Sequence, residues 1–302
     1  MEIIKIENYI EKRFNTSIAL GNFDGIHLGH KKLISSMVEE ANFLSIIPSV
    51  LLFSKHPKEV LMGKSPELLT SLIDKHEILR ELGVKIVYET EFTPEFMTLS
   101  PEQFVKEILL DKLNIKSVFV GFDYRFGHKA SGDVGVLKAL GQKYDFKVTV
   151  IDAVYDEKNV LSSTKIRDEI RDGNIELANE MLDRNYKIRG KVVHGNKIGR
   201  TLGFPTANIE LLSNYPVPKI GVYETKAIVA QNAYKSLTSI GTNPTVGGDR
   251  VKIETYILDF DEDIYGEDME IEFIEYLRDE WMFDSLEELK IQMQKDVDRV
   301  KY

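Results

Sequence analysis

The strongest constraint on the fold is a change of texture in mid-chain. Up to about residue 154 short apolar runs alternate with amphipathic stretches, whereas from about Tyr186 short runs separated by Gly, Asn and Pro clusters dominate. The first pattern predicts strands at 17–20, 49–53, 85–88, 117–121 and 147–154, with helices at 28–43, 72–82, 101–113 and 134–144 among them. Leu33, Ile34, Met37, Val38 and Ala41 give the first helix an inward stripe, and Ser100 suits the N-cap of the third. Strands alternating with helices need crossover connections, which make the strands parallel: an α/β doubly wound, Rossmann-like sheet. Ligands bind such sheets at the carboxyl ends of the strands. The second pattern, with strands at 187–194, 222–230, 236–240, 251–258 and 269–277, predicts a small antiparallel β-barrel. A C-terminal helix at 285–300 closes it, with Ser285 and Glu288 spaced for a capping box.

A chain of 302 residues is long for one core and suits two domains, cut near Asp183 into 1–183 and 184–302. With 39 Lys and Arg against 49 Asp and Glu the formal charge is −10. That balance argues against nucleic acid as a partner, yet leaves room for a few local phosphate donors. There is no cysteine, so disulfides, thiolate nucleophiles and thiolate zinc sites are excluded. Residues 1–13 alternate charged and apolar side chains without the apolar centre of a signal peptide. The longest apolar run, near 46–53, is broken by Pro48 and Ser49 and is too short to span a bilayer. A cytoplasmic protein with no membrane partner is expected, and the sequence carries no signal for a particular oligomeric state.

Gly21-Asn22-Phe23-Asp24-Gly25-Ile26-His27-Leu28-Gly29-His30 follows a predicted strand and opens a helix. Its glycines let the backbone turn tightly and approach a ligand. The helix start offers unpaired N–H groups and a positive dipole end, which attract phosphate. His27 and His30 are three apart, so both imidazoles can face one point above the strand ends. Such a pair suits a triphosphate and the charge that builds on phosphorus during transfer. The chain has no Walker loop, because Gly63-Lys64-Ser65 has Lys58 where the first glycine should stand. A two-histidine zinc site has no evident third ligand nearby.

A second constellation, Gly203-Phe204-Pro205-Thr206-Ala207-Asn208, sits behind the basic, glycine-rich run from Gly190 to Arg200. Pro205 stiffens the chain, so Thr206 and Asn208 project to one side of an extended segment. Their hydroxyl and amide oxygens can share a Mg²⁺ with ATP phosphates, since magnesium takes few protein oxygens and keeps substrate oxygens and water. Further on, Val251, Ile253 and Ile257 share one strand face, so Glu254 points away from it.

These motifs carry a resemblance. Gly21 to His30, including Phe23 and Asp24, is similar to the H-x-G-H motif of the nucleotidyltransferase superfamily, in the form found in the prokaryotic bifunctional riboflavin kinase/FMN adenylyltransferase (FAD synthetase) family. Phe53-Ser54-Lys55-His56-Pro57 resembles the family's F-x-x-H-P segment, and Gly121-Phe122-Asp123-Tyr124-Arg125-Phe126-Gly127 its next glycine-flanked loop. Ser162-Ser163-Thr164-Lys165-Ile166-Arg167 resembles the second nucleotide motif, with Lys165 where the family often has Arg. Residues 199–208 resemble the riboflavin kinase signature, and Gly221-Val222-Tyr223, Gly241-Thr242-Asn243-Pro244-Thr245 and Leu277-Arg278-Asp279-Glu280 with Phe283 resemble its later blocks.

The resemblance implies a two-step flavin enzyme. The barrel would phosphorylate riboflavin with ATP to FMN, and the N-terminal domain would transfer AMP from a second ATP to FMN, giving FAD and pyrophosphate. It implies ATP contacts at Gly21, Phe23, Asp24, Gly25, His27, His30, Ser163, Thr164 and Arg167 in one site, with His27, His30 and Arg167 catalytic. In the other it implies ATP contacts at Gly195, Arg200, Gly203, Thr206 and Asn208, Mg²⁺ on Thr206 and Asn208, and Glu254 as the base for the ribityl hydroxyl. Flavin contacts are implied at His56, Pro57, Asp123, Arg125, Phe126, Arg278 and Phe283. Trp281 and Phe283 beside Arg278 suit two roles, stacking an isoalloxazine ring or packing the final helix onto the barrel. Other readings are an enzyme with only the adenylyltransferase half active, another adenylyl- or cytidylyltransferase, and a sensor that binds flavin or nucleotide without turnover.

Overall fold

Apolar residues on both faces of successive strands build a buried parallel sheet. The computed structural model describes residues 1–8, 14–156, 159–195, 198–245 and 248–301. Contacts divide the chain into two units, Met1–Pro66 with Ser71–Ser162, and Glu67–Thr70 with Ser163–Tyr302. The first contains strands β1 (Glu2–Lys5), β2 (Thr16–Leu20), β3 (Ile47–Phe53), β4 (Ile86–Thr90), β5 (Ile115–Gly121) and β6 (Lys147–Ile151). They pair in parallel in the order β1-β4-β3-β2-β5-β6. Helix α1 (Leu28–Phe43) follows β2, while α2 (Pro57–Met62) and α3 (Leu72–Glu81) follow β3. Next come α4 (Pro94–Thr98) and α5 (Pro101–Gln103) before β5, and α6 (Val134–Tyr144) before β6.

The pleat sends Ala19 of β2 to one face, where it meets Leu33, Ile34 and Met37 of α1 and Leu79 of α3. Ile18 and Leu20 go to the other face, against Val105, Leu109 and Leu137. The chain steps from β2 to β3 and β4 on one side, then returns to place β5 on the other side of β2. The carboxyl end of β2 is therefore the switch point of the sheet, the customary place for a ligand.

Helices α1 and α6 occupy the spans predicted for them. The predicted helix at 101–113 is one α-turn, α5, continued by a π-helix at Phe104–Lys112. Its wider winding keeps Phe104, Val105, Ile108 and Leu109 buried, and Leu113 N–H reaches back to Ile108 O at 3.0 Å. Strand β1 is not among the predicted strands; it is four residues long and pairs in parallel with the edge of β4. The strand predicted at 147–154 stops at Ile151, before a hairpin of β7 (Tyr155–Asp156) and β8 (Asn159–Val160).

In the second unit α7 (Ser163–Asp172) and α8 (Ile175–Leu182) precede β9 (Tyr186–Val193). Then follow α9 (Ile198–Leu202), β10 (Thr206–Leu211), β11 (Gly221–Val229), β12 (Asn232–Thr245), β13 (Gly248–Ile257), β14 (Asp268–Arg278) and α10 (Leu286–Lys301). The strands close into an antiparallel barrel, β10-β13-β12-β11-β14-β9. Helix α8 packs on β14 and β9, and Asn179 of α8 donates to Phe273 O at 2.9 Å and accepts from Tyr186 N at 2.6 Å. By contacts, then, residues 163–183 count with the barrel. Ile188, Ala227, Ile271, Phe273, Ile253 and Ile257 point inward and are buried. Val222 and Leu237 point outward and are covered by Val297 and Val300 of α10. Ser285 Oγ accepts from Glu288 N at 3.2 Å, but Glu288 takes the N–H of Asp284 at 3.3 Å, so only half of the predicted box is made.

Candidate active sites

In the first unit the glycine turn leaves β2 at the switch point and runs straight into α1. Its backbone is bent into the left-handed region at Phe23 (φ 46°), Gly25 (φ 85°) and Ile26 (φ 40°). Glycine adopts this freely, but a β-branched residue does so at a cost of about 1–3 kcal/mol. The buried packing of Phe23 and Ile26, both 0% exposed, holds the turn in this shape. His27 is the N-cap of α1 and makes no side-chain cap, so the first-turn N–H groups stay directed at the turn.

The two imidazoles do converge. Their rings stack with centroids 3.9 Å apart and 22° between planes, and Phe23 meets His30 edge-on at 5.3 Å. Burial first, then the charges of His27 and Lys75, hold His30 well below the ordinary imidazole range, so its ring is neutral. Asp24 is buried against the same turn.

Lys75 of α3 is the residue that sequence reading missed. It is 9% exposed, and its Nζ donates to Asn22 O at 3.2 Å. Burial pushes this lysine down and the Asp24 carboxylate pushes it back up. A signal was present: Lys75 lies one helical turn before buried Leu79, on the inward stripe of α3.

The other expected loops follow neighbouring strands. His56 caps α2 after β3, its Nδ1 accepting from Lys58 N at 3.1 Å, and Pro57 is the first residue of that helix. Asp123 and Arg125, after β5, are exposed, with Arg125 3.7 Å from Asp133. Phe126 is buried, stacked on Tyr124 at 5.7 Å and tilted against Phe104 at 5.7 Å. A chain of rings runs on through Phe96 to Phe53 and Phe92, at 5.9, 5.4 and 5.2 Å. Of this aromatic wall the sequence singles out Phe126 as a flavin contact and Phe53 only as the first residue of the F-x-x-H-P segment. Ser163 and Thr164 open α7, and Arg167 donates from Nε to Glu67 O at 2.9 Å, all within the second unit.

On the barrel, register assembles the second site. Strand β10 pairs with β13 so that Thr206 faces Tyr256 and Asn208 faces Glu254. Strand β12 puts Ser239 on the other side of Glu254. Directly opposed residues share a face, so Thr206, Asn208, Glu254 and Ser239 form one half-buried oxygen-rich patch outside the barrel. Ile253, Thr255 and Ile257 point inward and are buried, as the strand pattern predicts, but Val251 is 49% exposed near the strand end. Lys252, on the same face as Glu254, holds its Oε2 at 2.7 Å.

Gly195 closes the patch. A Cβ there would stand 2.2 Å from the Asn208 side-chain nitrogen, so the backbone lies flat on that amide. Gly203 turns with φ 91° after α9. The expectation for Arg200 falls on a side chain outside the described residues. Arg278 grips Asp296 of α10 with two nitrogens, at 2.7 and 3.0 Å, and lies over Trp281 at 4.9 Å. Trp281 and Phe283 are 6.5 Å apart. The guanidinium thus ties α10 to the barrel, which accounts for the packing role of this corner.

Comparison with known proteins supplies a family for both halves. A family model described as FAD synthetase matches residues 10–165, and one described as riboflavin kinase matches 182–302. A bifunctional riboflavin kinase/FMN adenylyltransferase of Listeria monocytogenes is 41% identical over 285 residues, covering 93% of this chain and 90% of that one. Its counterpart in Escherichia coli K12 is 36% identical, covering 92% and 90%. A solved structure from Streptococcus pneumoniae, described as a macrolide-efflux protein, superposes with a TM-score of 0.90 at 31% identity, covering 100% of this chain and 99% of that one. Among the described residues no helix is long and apolar enough to cross a membrane.

Proposed function

The chain belongs to the family of bifunctional riboflavin kinase/FMN adenylyltransferases, and we propose that its two reactions are carried by the two sites described above. As a transferase it uses ATP to convert riboflavin to FMN and then FMN to FAD. The observation that carries the site assignment is the glycine turn, which leaves the sheet at its switch point with two stacked imidazoles on a helix start.

In adenylyl transfer a phosphate oxygen of FMN attacks the α-phosphorus of ATP, and pyrophosphate leaves. No covalent enzyme intermediate is needed, so the protein holds two anions together and neutralises developing charge. The N–H groups of α1 and the two imidazoles serve the phosphates. A polyanion beside neutral His30 draws that ring toward its protonated form, which adds positive charge where it is needed. Ser163, Thr164 and Arg167 are assigned to phosphate oxygens on their motif and on the helix start they occupy. The aromatic wall behind Phe126, with His56, Pro57, Asp123 and Arg125, is assigned to FMN.

In the kinase step Glu254 accepts the proton of the primary ribityl hydroxyl, whose oxygen attacks the γ-phosphorus, and ADP leaves. The patch around Glu254 fits a magnesium ion: its donors are a hydroxyl, an amide and a carboxylate, all hard oxygens, and Gly195 leaves room for no side chain there. Thr206 and Asn208 would hold the ion, which supplies charge neutralisation on the ATP phosphates. Lys252 keeps the Glu254 carboxylate in place on the strand. Gly195, Arg200 and Gly203 are assigned to ATP, and Phe283 beside Arg278 to the flavin of this step. The lack of cysteine and the charge of −10 support a cytoplasmic enzyme without a nucleic-acid partner.

The test is incubation with riboflavin, ATP and Mg²⁺ followed by separation of the flavins. FMN is expected first and FAD after it. FAD formed from supplied FMN, with no product from riboflavin, would leave only the adenylyltransferase half. Bound flavin and ATP without any product would identify a sensor.

A further inference from the structure

We propose that Lys75 is a further residue of the adenylyl-transfer site, a buried ammonium that meets the phosphates of ATP above the glycine turn. The proposal rests on the assignment of that site to the turn from Gly21 to His30.

Helix α3 is fixed at its start by Ser71, whose Oγ accepts from Asp74 N at 3.1 Å and pairs with Asp74 Oδ2 at 2.5 Å. The next residue, Lys75, then falls on the inward side with Leu79. A lysine near a surface normally buries its stem and keeps its head in water. Here head and stem are both enclosed, with 9% of the residue exposed. The head is directed at the turn after β2, a segment far away in the chain, and donates to Asn22 O at 3.2 Å. An ammonium has three donors, of which one carbonyl takes one.

The groups around that head belong to the turn itself. Asp24 supplies a countercharge, and the charge of Lys75 in turn acts on His30. The cation therefore stands among a carbonyl, a carboxylate and an imidazole of the same loop that presents the helix start. A compact ammonium on a flexible stem, with rotatable donors, is a suitable point charge for phosphate oxygens. Arrival of ATP gives this cation the strong acceptors that the turn supplies only in part.

The test uses full-length Lys75→Met and Lys75→Arg, with both reactions followed in the same preparation. Lys75→Met is expected to lower kcat/KM for ATP in FAD formation by roughly 10²-fold. Riboflavin phosphorylation, in the other unit, is expected to stay near the wild-type rate. Inhibition of FAD formation by inorganic pyrophosphate should weaken at least roughly tenfold, because a charge-assisted contact is lost. Inhibition by adenosine should be unchanged, and Lys75→Arg should recover much of the loss. Near-wild-type FAD formation by Lys75→Met overturns the proposal, as does equal weakening of pyrophosphate and adenosine, which would mark a merely structural lysine. If Lys75→Met does not fold, Lys75→Gln, which removes the charge and keeps a donor, decides by the same two inhibition constants. A wild-type protein that makes FMN but no FAD would instead sink the parent assignment.

Discussion

The two sites are assembled in opposite ways. The turn from Gly21 to His30 is one contiguous segment whose residues meet because a strand ends, turns and becomes a helix. The barrel site joins residues that are remote in sequence, because β10 and β13 pair in the register that sets Asn208 opposite Glu254. A local site depends on the strain of a few backbone angles, held by buried Phe23 and Ile26. A register site depends on the whole ladder, since a slip of one residue would turn Glu254 to the inside of the barrel.

Separate substitutions should break one reaction and spare the other. Glu254→Gln removes the carboxylate proposed as the base and is expected to slow FMN formation by roughly 10²–10⁴-fold, leaving FAD formation from supplied FMN intact. His30→Ala should do the reverse, with FAD formation falling by roughly 10²–10³-fold while riboflavin phosphorylation continues. Product analysis in one assay checks both, and a variant that damages the two reactions equally would deny that the sites are independent.

Smaller effects sharpen the contrast. Asp296→Asn takes the carboxylate from the largely buried Arg278 and should lower barrel stability by about 3 kcal/mol, seen in chemical denaturation. Gly195→Ala drives a Cβ into the Asn208 amide and should cost up to roughly 10²-fold in kinase kcat/KM without touching adenylyl transfer.

The last prediction concerns pH. Folded His30 is held neutral below its usual range, so below about pH 6.5 the unfolded chain binds more protons than the folded one. Stability is then complete above that pH and falls as the pH drops, by about 1.4 kcal/mol per unit. Urea midpoints for the first unit should fall between pH 7.5 and 5.5, and His30→Gln should flatten the trend.

Much of this was legible because it is local. The helices at 28–43 and 134–144 announce themselves by period, and the stacked imidazoles follow from a spacing of three at a helix start. What stayed hidden was set by partners elsewhere in the chain. Strand β1 forms only because β4 offers an edge, and β10 was visible only as an extended segment. The rings of Phe53, Phe92 and Phe96 converge only once β3 and β4 lie side by side.

Sequence alone determined the α/β half and the barrel half, because periodicity, turn residues and helix starts act over a few residues. Tertiary structure decided that Asn208 faces Glu254, that Arg278 pairs with Asp296, and that Lys75 reaches into the glycine turn. Those facts depend on strand register and helix packing, which no single segment encodes.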